Sequence, residues 1–94
     1  MTTKALKDVA AERERQINVK GWTSEHDDRH APGEMAIAAA CYIITGPDDR
    51  IPDAWPWAAE WWKPKGRRRN LVRAGALILA EIERLDRIAD GGER

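Results

Sequence analysis

The sequence predicts an all-α fold: a small helical bundle of three main helices with a short Trp-bearing helix before the last. Three observations carry this. Apolar residues recur at helical spacing in three separate segments, no segment alternates with a period of two, and the breaks between segments are rich in Gly and Pro. At 94 residues the chain, 1–94, fits one small domain, and no internal repeat divides it.

The first helix is expected over about residues 3–19. Ala5, Leu6, Val9, Ala10 and Ile17 define its apolar face, and Glu12, Arg13, Glu14 and Arg15 mostly fill the other. Gly21 suits the position just past a helix end. In the next stretch, "GWTSEHDDRH", Ser24 with Asp27 three residues on matches a capping-box pattern, and Pro32 stops whatever Ser24 starts. The second helix should begin near Pro32 and run to about Thr45, with Glu34 at the positive end of its dipole. Its sequence, "EMAIAAACYII", is apolar on every side, which predicts burial all round, as a central helix and also a candidate subunit interface. Residues 46–56 are turn chemistry with three prolines, after which "WAAEWW" suits a short helix placing Trp57 and Trp61 on one side. The last helix is expected from Arg67 to about Asp90. Leu71, Ala74, Ile78 and Leu85, with Leu77 and Ile82 beside them, form its apolar stripe, and Gly91 and Gly92 end it.

Composition narrows the function classes. The chain is 43% hydrophobic with five Trp, enough for a core and against disorder. Sixteen Lys plus Arg balance sixteen Asp plus Glu, so overall charge provides no long-range attraction to nucleic acid or to a membrane surface. The local balance is uneven: residues 1–32 hold six bases and six acids, 33–62 one base and five acids, and 63–94 nine bases and five acids. The single Cys41 cannot form an internal disulfide and fits a reducing cytoplasm. The charged N-terminus lacks the apolar stretch of a signal peptide, and the longest apolar run, residues 35–44, is too short to cross a bilayer. A cytoplasmic protein without membrane attachment is the expectation.

Four features can carry chemistry. If residues 25–30 are helical, His26 and His30 share a face, and Asp27, Asp28 or Glu34 add oxygen ligands, a set that suits Zn, Mn or Fe. A capped, solvated corner accounts for the same residues without a metal and is the favoured reading. Second, "KPKGRRRN" puts Lys65, Arg67, Arg68 and Arg69 at a helix start, where cations oppose the dipole and an anion would reverse the sign. A phosphate or a partner's carboxylates fit there, and so does internal pairing with Asp48, Asp49, Asp53 or Glu60. Third, Trp55, Trp57, Trp61 and Trp62 beside these cations can stack a base or a partner, or anchor the core of a chain that has no Phe. Fourth, Glu83 and Asp86, with Glu81 one position off their face, can hold Mg²⁺; alternation with Arg84 and Arg87 favours a salt-bridged surface instead.

The order "VAAERERQ", a polar segment, "GEMAIAAACY", then "LVRAGALILAEIERLDR" resembles small MazG-like proteins of the all-α NTP pyrophosphatase group. Nearly the whole chain also resembles short phage and prophage proteins sharing "GWTxEHDD", "WWKPK" and "LILAEIERLDR", which carry no assigned activity. The MazG-like resemblance implies a homodimeric or tetrameric bundle that binds Mg²⁺ or Mn²⁺ through carboxylates and splits a nucleoside triphosphate into monophosphate and pyrophosphate. The carboxylate positions of that group fall here on Gly33, Glu34 and Ile37, and then on Asn70 and Arg73, so Glu34 is the one acid retained. Two functions follow as expectations. One is a nucleotide binder, or pyrophosphohydrolase if active, with the Arg run on phosphates and a Trp on the base. The other is a small phage-encoded protein that inhibits a host defence or replication enzyme in the host cytoplasm through its Trp and Arg surface. Direct nucleic-acid binding ranks third.

Overall fold

A computed structural model describes residues 2–19, 33–45, 48 and 50–91. Over these the protein is all-helical: α1 (Lys4–Asn18), α2 (Glu34–Ile44), a 3₁₀ turn (Ala59–Trp61) and α3 (Arg67–Gly91). The long α3 is the spine, and α1 and α2 each pack on it. No helix is long and apolar enough to cross a membrane. The "SEHDDRH" corner, with Ser24, His26, Asp27, Asp28 and His30, lies outside the described residues.

Local capping sets the helix starts. The Thr3 hydroxyl accepts from the Leu6 N–H at 3.1 Å, satisfying one of the free donors that open α1. At the start of α2, Gly33 adopts φ 89° in the left-handed region, with its carbonyl accepting from Ile37 N–H. Only glycine takes this conformation without penalty, so Gly33→Ala is expected to lower stability by about 1 kcal/mol in urea denaturation. The same change at Gly66, which has no positive φ and open space where a Cβ would stand, should cost visibly less.

The core differs from the one the hydrophobic pattern predicts. In α3 the buried apolar residues are Val72, Ala74, Ala76, Leu77 and Ala80, whereas Leu71, Ile78, Ile82 and Leu85 stay 41%, 41%, 48% and 50% exposed. Small residues face the neighbouring helices because two helices must approach one spine closely. Gly75 shows how closely, since a Cβ there would stand 3.1 Å from a methyl of Val9. In α2, apolar on all sides, only one side is covered: Met35, Ala38, Ala39, Cys41 and Tyr42 are buried, and Ile37, Ile43 and Ile44 are exposed. In α1 the fully buried residues are polar, Glu12, Arg13 and Gln16, with Val9 half-buried against Gly75, while Leu6 is 57% exposed.

The predicted helix over "WAAEWW" shrinks to the single 3₁₀ turn Ala59–Trp61. Pro56 and Pro64 leave too few residues for a stable α-helix, and an indole takes part of the role of backbone pairing, with Trp55 Nε1 donating to the Ala58 carbonyl at 3.1 Å. The segment folds over α2 and α3 as an aromatic cluster. Tyr42 stacks on Trp62 (centroids 4.8 Å) and meets Trp55 edge-on, and Trp55 in turn meets Trp57 and Trp62 edge-on. Trp62 is buried, Trp55 and Trp57 are half-buried, and Trp61 is 47% exposed. Three of the four indoles are thus mainly core anchors, which is what the absence of Phe demands.

Candidate anion-binding cleft

The site begins with the Arg run. Each of its three guanidinium groups has a partner within the chain. Arg67 donates to the carbonyl of Ile43, near the negative end of α2. Arg68 pairs with Asp8 at 2.9 Å and Arg69 with Glu12 at 2.7 Å, so the run docks α1 onto the start of α3. Internal pairing therefore occurs, with acids of α1. Of the acids expected from the middle segment, Asp48 pairs with Arg50. The Lys65 backbone N–H donates to Asn70 Oδ1 at 2.7 Å, and the Lys65 side chain is exposed.

Glu12 is the centre of the charge network. Its carboxylate, 1% exposed, accepts from Arg15 Nε (2.9 Å) and Nη2 (2.8 Å), from Arg69 Nη2 (2.7 Å) and from Gln16 Nε2 (3.4 Å). Burial pushes this carboxyl up, but the Arg15 bonds and the charges of Arg15, Arg69 and Arg73 outweigh it, and the group rests below the ordinary range. A lone carboxylate could not be buried here; one ringed by guanidinium groups can.

Beside Glu12 a cleft opens between α1, α3 and the segment after the 3₁₀ turn. Glu12, Arg15, Gln16, Tyr42, Trp61, Lys63, Arg73 and Leu77 line it, and its volume, about 20 Å³, admits one oxygen-sized group. Arg73 donates to the Lys63 carbonyl and lies over the Tyr42 ring, 6.0 Å from its centroid. Tyr42 Oη in turn accepts from the Lys63 N–H at 3.2 Å. Two buried polar atoms on residues of this lining, Gln16 Oε1 and Arg73 Nε, have no hydrogen-bond partner among the described residues. Such atoms are uncommon in a folded interior, and ordered water is their usual partner. Three guanidinium groups (Arg15, Arg69 and Arg73) act on the single carboxylate, and Lys63 and the exposed Trp61 line the same cleft.

The other sequence candidates fall elsewhere. Glu34 accepts from Trp57 Nε1 at 3.2 Å. Among the described residues, no three of His, Cys, Asp and Glu come together as a metal site. Glu83 accepts from Arg13 (2.9 Å), tying α1 to the second half of α3, and Glu81 forms a two-bond pair with Arg84. Glu81 thus pairs with the neighbouring Arg84, though largely buried and not on a solvent face, while the partner of Glu83 comes from α1 and not from the alternating Arg of α3. Cys41 is buried, which pushes its thiol up and leaves it a core residue. Sequence reasoning missed Arg15, Gln16, Lys63 and Arg73 as a group. They are scattered over 58 positions of the chain, and no local motif links them.

Comparison with known protein families, curated proteins and solved structures returns no match for this chain.

Proposed function

We propose that this protein binds a phosphate-bearing nucleotide at the cleft beside Glu12. A phosphate oxygen enters among Arg15, Lys63 and Arg73, with Arg69 behind them, and the base stacks on Trp61. The observation that carries this reading is the excess of cations around one buried carboxylate, together with two buried polar atoms left unpartnered at the same place. Guanidinium groups suit phosphate because their fork of donors matches its oxygens. The resemblance of the element order to MazG-like proteins supports the same ligand class.

The proposal is one of binding first, with pyrophosphate release as a further activity to be tested. Hydrolysis in that group uses converging carboxylates to hold Mg²⁺ or Mn²⁺. Glu34 is the one such acid in the described residues, and any metal site built with His26, Asp27, Asp28 and His30 involves the segment outside them. A divalent cation would otherwise arrive on the nucleotide itself.

The test is thermal unfolding against a panel of nucleoside triphosphates, nucleosides and inorganic phosphate, each with Mg²⁺ or Mn²⁺. At a hundredfold excess over Kd a ligand specific for the folded state adds about 2.7 kcal/mol, on the order of 10 °C for a domain of this size. The triphosphate should produce the rise, Lys63→Gln should reduce it, and Trp61→Ala should bring the triphosphate down to the level of phosphate alone. A flat response across the panel overturns the proposal.

A second reading rests on the exposure of Trp61, Arg67 and Arg68, which suits an acidic surface of a host enzyme. It predicts a host protein retained by the wild type and lost with Trp61→Ala, in the absence of any nucleotide response.

A further inference from the structure

We infer that the exposed apolar stripe of α3 is a self-association surface on which two copies of this chain pair antiparallel about Ile78. The stripe is formed by Leu71, Ile78, Ile82 and Leu85, the large side chains that α3 leaves outside the core while packing its alanines inward. The positions follow one another at intervals of seven, four and three, so they lie along a single seam of the kind helices use to pair. Exposed apolar side chains aligned in this way mark a contact surface.

The pattern selects a partner. Leu71 and Leu85 stand seven residues before and after Ile78, all three exposed. A two-fold axis at Ile78 therefore sets Leu71 of one copy against Leu85 of the other and Ile78 against itself, with Ile82 of each copy filling the seam between them. This self-complementarity is what an isologous dimer requires. The charges agree. Residues 67–73 hold four Arg and no acid, whereas residues 81–90 hold Glu81, Glu83, Asp86 and Asp90 against Arg84 and Arg87. Antiparallel pairing puts the basic start of one helix beside the acidic end of the other; parallel pairing would set Arg against Arg. Arg68 and Asp86 lie on the same flank of the seam, five helical turns apart, and the two-fold brings them to nearly the same level on opposite copies. This surface is separate from the cleft and does not depend on the nucleotide reading.

Sedimentation equilibrium of the full chain without nucleotide, across the micromolar range, tests the inference. The wild type should be dimeric, and Ile78→Asp with Ile82→Asp should be monomeric with unchanged helical circular dichroism. Register is read by a short bis-maleimide. Ile78→Cys should cross-link to itself, and Leu71→Cys should cross-link to Leu85→Cys in a mixture but not to itself. A wild type that is monomeric throughout overturns the inference and assigns the stripe to cover from residues 20–32 or from a different protein. A dimer that survives the Asp substitutions, or Leu71→Cys linking to itself, overturns it in favour of another surface or a parallel pair.

Discussion

Replacing Glu12 with Ala is expected to lower the unfolding free energy by about 3 kcal/mol, among the largest effects of any single change in this protein. The carboxylate is buried and holds Arg15, Arg69 and Gln16 together; without it, two partly exposed guanidinium groups lose their shared partner and Gln16 its bond, and a void opens where α1 meets α3. Glu14→Ala, at an exposed position of the same helix, should stay within about 0.5 kcal/mol of wild type. Urea denaturation followed by circular dichroism measures both, and equal values would remove Glu12 from the centre of the network. Inorganic phosphate should recover part of the loss in Glu12→Ala and have a smaller effect on the wild type, because it would supply the missing negative charge.

The same network sets the acid limit of the fold. Glu12 is held below the ordinary carboxylate range, and so is the half-buried Asp8, through its hydrogen bonds from Lys4 and Arg68. A carboxyl depressed in the folded state stabilises above its unfolded value, and that stability is lost as pH falls through the folded value. Stability should therefore be flat near neutrality and fall once the pH drops below the usual carboxylate range. The fall should be shallower in Glu12→Gln, which starts lower and has less to lose.

Tyr42→Ala is expected to cost about 3–5 kcal/mol, as removal of a large buried aromatic does. The ring stacks on Trp62, meets Trp55 edge-on and lies under Arg73, so its loss unpacks the loop, α2 and α3 together. Tyr42→Phe keeps all of these and removes only the bond from the Lys63 N–H, which lies on an exposed residue that water can reach. Its cost should be about 1 kcal/mol or less. Near-ultraviolet circular dichroism should lose the coupled Trp signal in the Ala variant and keep it in Phe. Collapse in both variants would place the stabilisation in the hydroxyl instead of the ring.

The candidate site was partly legible in the chain. The basic start of α3 and the Trp cluster were visible as composition, and the conflict between three Arg and the helix dipole correctly signalled that something negative lies near them. What lies near them is Asp8 and Glu12, sixty and fifty-seven positions away. Glu12 read as surface because an acid in "AERER" is surface in most helices, and only the facing guanidinium groups make its burial favourable. Arg73 read as the loss of a carboxylate expected from the MazG-like resemblance. In the fold it caps the Lys63 carbonyl and covers Tyr42, roles that depend on a loop ten residues away and a helix thirty away.

Sequence by itself determined the helical class, the three described helices to within about two residues at their ends, and the Pro-rich break before the last. These follow from spacing, Pro, Gly and caps, which act within one or two turns of the chain. It did not determine which side of each helix turns inward. The stripe of Leu71, Ile78, Ile82 and Leu85 is more hydrophobic than the face that α3 actually buries, yet α1 and α2 pack on the Ala and Gly side. Close approach of two helices to one spine rewards small side chains, and ion pairs across α1 and α3 reward a buried acid. Both effects exist only once the elements meet, so tertiary structure alone decides the polar cleft beside Glu12 and the exposed apolar stripe.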